Sequence, residues 1–188
     1  MKLGIFGGSF NPIHFGHLLL AETARDELKL DRVVFIPTGQ PPHKPSHGLL
    51  SGLARLKLVQ LAIRDAPAFV ASDIEVQRSG PSYTIDTVKL LRRQAAEAEL
   101  FLLIGEDMLN VRWVEWAQLK RLCTIVVAHR SARKPSRQER KLLWLAMPRI
   151  DISSSDIRKR VASGRSIRYL VPETVARYIR QHHLYAAA

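Results

Sequence analysis

The residue types with the clearest chemical use in this chain lie between residues 7 and 17, which read Gly-Gly-Ser-Phe-Asn-Pro-Ile-His-Phe-Gly-His. Glycines let backbone N–H groups approach an anion closely, because they carry no side chain. A helix predicted to follow would point unpaired N–H groups and a positive dipole end at the same space. His14 and His17 lie three residues apart around that helix start, so their rings face the same side. The segment therefore predicts a phosphate-binding loop with two histidine donors.

The spacing of residues in this loop argues against other interpretations of it. It matches neither the dinucleotide-binding pattern G-x-G-x-x-G nor the P-loop pattern G-x-x-x-x-G-K-[ST]. Two histidines at this spacing could bind zinc, but no nearby carboxylate, cysteine or third histidine completes a site. They could also be ordinary packed or surface side chains. We therefore predict no metal site in the protein.

A second anion-binding segment is predicted near residue 153. Ser153 and Asp156 match the capping-box pattern [ST]-x-x-[DE], which starts helices. Ser154 and Ser155 then fall in the first helical turn, where amides and hydroxyls face an anion. Arg158, one turn further on, adds a charged guanidinium. A plain helix cap explains Ser153 and Asp156 equally well, and Arg158 also fits a surface arginine.

The elements that would position these segments follow from the apolar runs of the sequence. Strands are predicted over residues 2–6, 33–36, 69–71, 100–104 and 124–127, and helices from near Phe15, from Leu53 and, after Pro81, from Ser82 or Thr84. Strands that alternate with helices favour a parallel sheet covered on both faces. Ligands of such sheets bind beyond the carboxyl ends of the strands, which is where the chemically informative residues fall.

Length and cysteine content bound the class of protein. A chain of 188 residues is typical of one domain with one core. No stretch approaches the roughly 20 apolar residues that a membrane span needs, and the first ten residues do not resemble a signal peptide. Cys123 is the single cysteine, so an intrachain disulfide and a cysteine-rich metal cluster are excluded, and we expect it to be a core residue. These features predict a cytoplasmic protein.

Charge is the unusual global property, with a net charge of +12. Residues 1–100 hold 12 basic and 10 acidic residues, whereas residues 101–188 hold 17 and 7. Much of the excess lies in Arg130, Arg133, Lys134, Arg137, Arg140 and Lys141. Such a field attracts polyanions, but it also describes a solvated face that keeps a protein soluble. An RNA-binding protein on a degenerate nucleotide fold is the alternative from another class. Nucleic-acid binders interleave aromatics with basic residues, and only Trp144 lies near this run, so we expect no nucleic acid partner.

The segment 7–17 resembles the G-G-S-F-[DN]-P-x-H-x-G-H motif of the nucleotidyltransferase superfamily. Within that superfamily the chain is similar to the bacterial nicotinate-nucleotide adenylyltransferase family from residue 3 to about residue 185. Further matching segments, in the family's order, are Pro37 with residues 42–44, then residues 80–87, 105–107, 113–116 and 152–158. The resemblance implies an α/β fold, a Rossmann-like doubly wound parallel sheet with helices on both faces. It also implies one domain, 1–188, with a C-terminal helical part from about residue 153 that carries the I-S-S-S-x-I-R phosphate site.

The reaction implied by the resemblance is transfer of the adenylyl group of ATP to nicotinate mononucleotide, giving nicotinate adenine dinucleotide and pyrophosphate in NAD biosynthesis. Mg²⁺ would be carried with the ATP phosphates, since two polyanions must meet and no carboxylate cage is apparent. The nearest alternatives are sister enzymes of the same fold that act on phosphopantetheine or on nicotinamide mononucleotide. The Tyr83-Thr84 segment and the tryptophans argue against the pantetheine version. The partners would be the two substrates, without a membrane, and a homo-oligomer stays open.

The resemblance also assigns roles residue by residue. The catalytic residues would be His14, His17 and Arg158. The ATP-binding residues would be Gly7, Gly8, Ser9, Phe10, His14, Gly16, His17, Gly105, Asp107, Ser153, Ser154, Ser155 and Arg158. The residues that bind nicotinate mononucleotide would be Asn11, His43, Lys44, Thr84, Trp113 and Val114.

Several of these assignments have competing interpretations. The span from Asp107 to Trp113 is about two residues shorter than usual in the family. Trp113 and Trp116, predicted on one helical turn, are therefore both candidates for stacking on the pyridine ring, and both also fit a core role. Asp107 would accept from ribose hydroxyls or cap a helix. His43 and Lys44 would reach the mononucleotide phosphate or be solvated.

Overall fold

A single parallel sheet organises the computed structural model, which describes residues 1–41, 48–129 and 141–186. Its spatial strand order is β3-β2-β1-β4-β5-β6. The strands are β1 (Lys2–Gly8), β2 (Arg32–Pro37), β3 (Phe69–Ala71), β4 (Glu99–Gly105), β5 (Thr124–His129) and β6 (Leu143–Ala146). The predicted α/β fold with a doubly wound parallel sheet is confirmed. The direction of strand succession reverses between β1 and β4, and ligands of such sheets bind at that point.

Helices cover both faces of the sheet, as predicted. They are α1 (Phe15–Leu28), α2 (Gly52–Ile63), α3 (Thr84–Gln94), α4 (Trp116–Leu122), α5 (Ser154–Ala162) and α6 (Glu173–Gln181), with a 3₁₀ helix over Glu106–Asn110. Buried residues of α1, α2, α5 and α6 share one apolar cluster, and those of α3 and α4 share a second. Within the described ranges, every helix is too short or too polar to span a membrane.

Every strand except β3 contributes to both clusters, because successive side chains point to opposite faces. In β1, Phe6 packs with the first cluster and Ile5 with the second. Leu103 and Leu102 of β4 divide in the same way. Residues buried on both faces explain why these strands read as continuous apolar runs. Such runs made the inner strands predictable from sequence.

Two local features differ from the sequence-based expectations. Strand β6, which has four residues and lies at one edge of the sheet, was not predicted. The prediction that Trp113 and Trp116 share a helical turn is wrong. Helix α4 begins at Trp116, and Glu115 before it has a left-handed backbone with φ +52°, so Trp113 lies in the preceding connection.

The lone cysteine lies where the sequence predicted it, in the core. Cys123 is 7% exposed, and its thiol donates to the carbonyl of Leu119 at 3.3 Å. Burial raises the pKa of this thiol to about 11, opposed by the nearby charge of Arg92. At neutral pH the side chain is therefore an uncharged thiol and a poor nucleophile.

Arg55 of α2 is fully buried, and among the described residues its hydrogen bonds go to backbone carbonyls. Its Nε donates to Leu50 O at 2.9 Å and its Nη1 to Ser9 O at 2.9 Å. Its Nη2 donates to Thr38 O at 2.6 Å and to Gly39 O at 3.2 Å. Burial lowers the pKa of Arg55, while the charge of Glu75 opposes that shift. One side chain thus joins the loops that follow β1 and β2 to the start of α2.

We expect the Arg55→Met substitution to lower the free energy of unfolding by about 3–5 kcal/mol. The carbonyls of Ser9, Thr38 and Leu50 would stay buried without their donor, and each such loss costs about 1–3 kcal/mol. Urea denaturation followed by circular dichroism measures the change.

Lys57→Met on the same helix is the matched control, because Lys57 is exposed. It should change the free energy of unfolding by less than about 0.5 kcal/mol. A loss below about 1 kcal/mol for Arg55→Met would contradict the central role given to this side chain.

Candidate active site

The loop that joins β1 to α1 has an unusual backbone. Phe10 adopts a left-handed conformation with φ +44°, and the Asn11–Pro12 peptide bond is cis. The ring of Phe10 folds under Gly8, where an added Cβ would come within 3.1 Å of it. Gly8 is therefore needed for close approach. Phe10 is 1% exposed, so it anchors the loop in the core. Gly7 stays exposed near the carboxyl end of β1.

The two histidines of this loop form one stacked pair at the start of α1. Their ring centroids are 3.7 Å apart with an interplanar angle of 25°. The backbone N–H of His14 donates to Nδ1 of His17 at 3.2 Å, as in a capping interaction. Because Nδ1 accepts, a neutral His17 carries its proton on Nε2. Nε2–H is therefore the donor that His17 offers, and Phe10 supports the His17 ring edge-on at 5.1 Å.

Asn11 fixes the same loop to two distant segments. Its side-chain amide donates to Gly48 O at 2.8 Å. Its side-chain oxygen accepts from Leu50 N at 3.3 Å and from the phenol of Tyr185 at 2.8 Å. Burial raises the pKa of that phenol, and Arg158 and Arg55 oppose the shift. The side chain of Asn11 thus supports the loop, and its contact with a mononucleotide stays a prediction.

Helix α5 begins against this loop. Ser153 caps the helix by accepting from Asp156 N at 3.0 Å, as the sequence predicted. Ser154 Oγ donates to Pro12 O at 2.8 Å, and Arg158 Nη1 donates to Asn11 O at 2.9 Å. The start of α5 therefore lies beside the loop that leads into α1. Two helix N-termini, each with amides that lack intrahelical acceptors, border the same part of the molecule.

The loop after β4 lies across the reversal point of the sheet from the first loop. Gly105 ends β4, and Asp107 follows in the 3₁₀ helix, exposed to solvent. Oδ1 of Asp107 lies where a Cβ on residue 105 would be. Any larger residue at 105 would displace this carboxylate. Gly105 caps the 3₁₀ helix, so the helix-cap interpretation of Asp107 is wrong.

The start of α3 is joined to the loop after β2 through Ser82. Ser82 Oγ accepts from Gly39 N at 3.1 Å and from Gln40 N at 3.2 Å, and Ser82 N donates to Gln40 O at 2.9 Å. Thr84 is the first residue of α3, as predicted, so its amide has no intrahelical acceptor. Below it, buried Glu75 accepts from the hydroxyl of Thr87 at 2.7 Å. Burial raises the pKa of Glu75, and its hydrogen bonds with Thr87 and Ser82 oppose the shift.

The two tryptophans form a half-buried aromatic surface between the 3₁₀ helix and α4. Their ring centroids are 5.5 Å apart with an interplanar angle of 33°. The indole N–H of Trp113 donates to Met108 O at 2.9 Å, and Lys120 lies 6.0 Å from the ring of Trp116. Val114 is 41% exposed beside them. Both rings pack on the α3–α4 side of the sheet, so the core and stacking interpretations are compatible.

The structure thus brings most of the predicted site residues to the carboxyl edge of the sheet. It connects the first loop to α5 directly and to the β2 loop through Arg55. His43, Lys44 and Arg130 lie outside the described residues. Within the ranges 1–41, 48–129 and 141–186, no group of three or more His, Cys, Asp or Glu side chains could hold a metal ion. The described residues of the site can act on a ligand through amides, imidazoles and guanidinium groups.

Sequence reasoning missed three residues that hold the site together. Arg55 had a detectable signal, because it lies on the same helical face as Leu58 and Val59. Glu75 and Tyr185 had none, since each lies outside the periodic elements and reaches a partner that is remote in sequence.

Comparison with known proteins identifies relatives of the whole chain. A model of the cytidylyltransferase-like family matches residues 5–160. A protein of Thermomicrobium roseum named "Probable nicotinate-nucleotide adenylyltransferase" is 45% identical over 98% of this chain and 91% of its own. A protein of the same name from Dehalococcoides mccartyi is 43% identical over 98% and 97% of the two chains.

Two solved structures share the fold at low sequence identity. Nicotinic acid mononucleotide adenylyltransferase of Plasmodium falciparum, complexed with NaAD, matches with a TM-score of 0.82 and 19% identity over 98% of this chain and 97% of that one. The same enzyme complexed with APC matches with a TM-score of 0.81 and 18% identity over 98% and 96%.

We expect Tyr185→Phe to lower the free energy of unfolding by about 1 kcal/mol. The substitution removes only the hydroxyl that Asn11 accepts, and a typical hydrogen bond contributes about 0.5–1.5 kcal/mol. Urea denaturation of both proteins measures the difference. Tyr178→Phe, a half-buried tyrosine of α6, is the control and should change stability by less than about 0.5 kcal/mol. Equal losses in the two variants would contradict a specific Tyr185–Asn11 contact.

Proposed function

The chain belongs to the cytidylyltransferase-like family and, within it, to the nicotinate-nucleotide adenylyltransferases, and we propose from this that it transfers the adenylyl group of ATP to nicotinate mononucleotide. The products are nicotinate adenine dinucleotide and pyrophosphate, in a step of NAD biosynthesis. Identity of 45% over 98% of the chain supports this enzyme class.

The observation that carries the proposal for the site is the contact between the first loop and α5. Ser154 and Arg158 bind the carbonyls of Pro12 and Asn11, so two helix N-termini face one region. Two helix N-termini that border one region suit the α-phosphate of ATP at one end and its leaving phosphates at the other. The helix dipoles and a guanidinium favour negative charge there.

The chemical step is attack by a phosphate oxygen of nicotinate mononucleotide on the α-phosphorus of ATP. A new P–O bond forms while the bond from the α-phosphorus to the α–β bridging oxygen breaks, and pyrophosphate leaves with that electron pair. No protein nucleophile is needed, which agrees with the buried thiol of Cys123. Holding the two phosphates in line supplies much of the rate, and donors to the developing charge supply the rest.

In this proposal the chain's own residues divide the ATP between them. His14 and His17 donate to the α-phosphate, joined by amides of Gly7, Gly8, Ser9, Phe10 and Gly16. Ser153, Ser154, Ser155 and Arg158 hold the phosphates that leave. Asp107, beside Gly105, accepts from ribose hydroxyls, and Gly105 leaves the room that this carboxylate occupies.

The mononucleotide would bind across the other half of the edge. The Thr84 amide at the start of α3 donates to the nicotinate carboxylate, with the Val114 amide as a second donor. Trp113 or Trp116 stacks on the pyridine ring, and the indole N–H bond of Trp113 to Met108 O keeps that ring in place. Asn11, His43 and Lys44 complete the assignment, the last two from outside the described residues.

Nucleotidyltransferases of this kind use a divalent metal with ATP, and we propose Mg²⁺ for this chain. Mg²⁺ is commonly held by substrate phosphates and water, and it reduces the repulsion between two polyanions. The absence of a metal-ligating cluster among the described residues is compatible with that mode of binding. The residues named above would then bind the phosphate oxygens and not the ion.

We further propose that residues 1–188 act as one nucleotidyltransferase domain in the cytoplasm. The bonds from α5 to the first loop support a single functional unit, because the site is incomplete without the C-terminal helices. The single buried cysteine fits a reducing compartment.

We expect His17→Ala to lower kcat about 10²–10³-fold, since removing one donor to developing charge typically costs that much. Steady-state turnover of ATP with nicotinate mononucleotide measures it, and circular dichroism shows that the variant is folded. His182→Ala, an exposed histidine after α6, is the control and should leave kcat unchanged. A kcat within about threefold of the wild type would remove His17 from the mechanism.

Arg158→Ala should raise the KM for ATP about tenfold or more, and the KM for nicotinate mononucleotide by less than about threefold. Hydrogen bonds to charged groups contribute about 1.5–3 kcal/mol, and the assignment places Arg158 on the ATP phosphates alone. Varying each substrate at saturation of the other measures both constants. The neighbouring Lys159→Ala removes the same charge from an exposed position and should affect neither. Equal increases in the two KM values for Arg158→Ala would contradict the assignment.

We predict a preference of about 10²-fold or more for nicotinate over nicotinamide mononucleotide. The amides at the start of a helix are hydrogen-bond donors. A carboxylate accepts from them on both oxygens, whereas the NH₂ group of an amide does not accept. Each unpaired polar group costs about 1–3 kcal/mol, so two suffice for this ratio. Comparing kcat/KM for the two mononucleotides at fixed ATP measures it. A ratio within about threefold of unity, or about 0.7 kcal/mol, would be inconsistent with this reading of the pocket.

A further inference from the structure

A buried polar network lies beneath the start of α3, and none of the roles assigned so far uses it. It comprises Glu75, Ser82 and Thr87, which are 5%, 5% and 1% exposed, with Arg78 beside them. Buried polar groups are costly unless they are paired, so a connected set of them usually specifies one arrangement.

The network reaches two different segments of the candidate site. Ser82 Oγ accepts two backbone amides, from Gly39 at 3.1 Å and from Gln40 at 3.2 Å. Glu75 packs at the same place, because a Cβ on Gly39 would overlap the carbonyl of Glu75 and come within 3.0 Å of Ser82 Oγ. Ser82 therefore links the loop after β2 to the residues just before α3, and Glu75 lies against this link.

The second arm of the network fixes α3 itself. Thr87, one turn into the helix, donates to Oε1 of Glu75 at 2.7 Å. Its oxygen accepts from Nη2 of Arg78 at 3.3 Å, and the same nitrogen lies 3.5 Å from Tyr83 O. Arg78 thereby holds the carbonyl of the residue that precedes Thr84. Glu75, through Thr87, and Arg78, through the Tyr83 carbonyl, together hold the first turn of α3 in position.

Steric fit reinforces this arrangement at Gly39. A Cβ on residue 39 would overlap the backbone carbonyl of Glu75, so only glycine allows the loop to lie this close. Arg55 binds the carbonyl of Gly39 from the other side at 3.2 Å. The residue is thus held between Arg55, Glu75 and Ser82. His43 and Lys44 follow four and five residues further along the sequence, outside the described residues.

We propose that Glu75 is a positioning residue that sets the affinity for the mononucleotide. It does so by fixing the distance between the loop after β2 and the Thr84 amide. This inference rests on the proposed function and refines it. Among the described residues, the side chains of Glu75, Ser82, Thr87 and Arg78 have no hydrogen bond to the first loop or to α5, and Arg55 holds Ser9 without their help. We therefore expect the ATP phosphates to be affected less than the mononucleotide. A misplacement of about 1 Å can cost 10²-fold in rate or binding when the displaced group contacts substrate.

The kinetic test uses Thr87→Val, which keeps the shape of the side chain and removes its hydroxyl. The proposal expects the KM for nicotinate mononucleotide to rise about tenfold, with kcat and the KM for ATP within about twofold of the wild type. Thr174→Val is the matched control, because the Thr174 hydroxyl donates to Leu61 O at 2.9 Å on the opposite side of the sheet. It should lower thermal stability to a similar extent and leave both KM values unchanged.

Other outcomes of this comparison overturn the proposal. A purely structural role for the network predicts that both threonine variants lose stability while the ratio of the two KM values stays at the wild-type value. Equal increases in the two KM values for Thr87→Val would also overturn it. Ser82→Ala removes the other arm of the network and must give the same split, whether or not Thr87→Val folds.

Hydrogen–deuterium exchange without substrate tests the coupling separately from the activity. The proposal expects Ser82→Ala to speed exchange in residues 38–41 and in residues 83–87 together, and Thr174→Val to change neither. Faster exchange in only one of the two segments would overturn it. Absence of turnover by the wild-type protein would overturn the proposed function instead, so the two failures are distinguishable.

Discussion

The guanidinium of Arg55 is the interaction on which the other features of the site depend. It donates to the carbonyls of Ser9, Leu50, Thr38 and Gly39. These four residues lie in loop segments outside the paired strands. A charge inside the fold is tolerated only when its donors are satisfied, so these segments have one allowed arrangement around it. Because Arg55 donates to carbonyls and not to a carboxylate, its positive charge lies behind the first loop. It therefore adds to a field that favours anionic ligands.

Most groups assigned to the substrates are parts of the backbone, and side chains largely hold that backbone in place. Asn11 and Ser154 direct their polar atoms at other protein groups, and Arg158 donates to the Asn11 carbonyl as well as offering further N–H groups. Helix N-termini and loop amides cost little reorganisation when charge develops on a phosphate. The buried polar side chains thus hold the backbone in position, and Glu75 is a second example.

The sequence predicted five of the six strands and several helix starts well. Strand β3 was predicted at its observed bounds, and the cap at Ser153 and the start of α3 at Thr84 were recognised from local patterns. These features depend on periodicity or on capping within a few residues. Edge strand β6 was missed. The break before Trp116 was also missed, since a left-handed Glu115 leaves no periodic signal. The partners of Arg55, Glu75 and Tyr185 could not be read from sequence, because each contact joins segments whose proximity only the complete fold determines.

The supports of the first loop come from the far end of the chain. Pro12 is bound by a residue 142 positions later, and Asn11 by residues 147 and 174 positions later. Closing such long loops carries an entropic cost that the rest of the fold must offset. During synthesis the N-terminal strands emerge first, yet the loop they carry has no C-terminal partners until α5 and Tyr185 are made. Competence to bind nucleotide is therefore acquired last, and a polypeptide released before Tyr185 would keep much of the sheet while lacking the contacts that hold its site together.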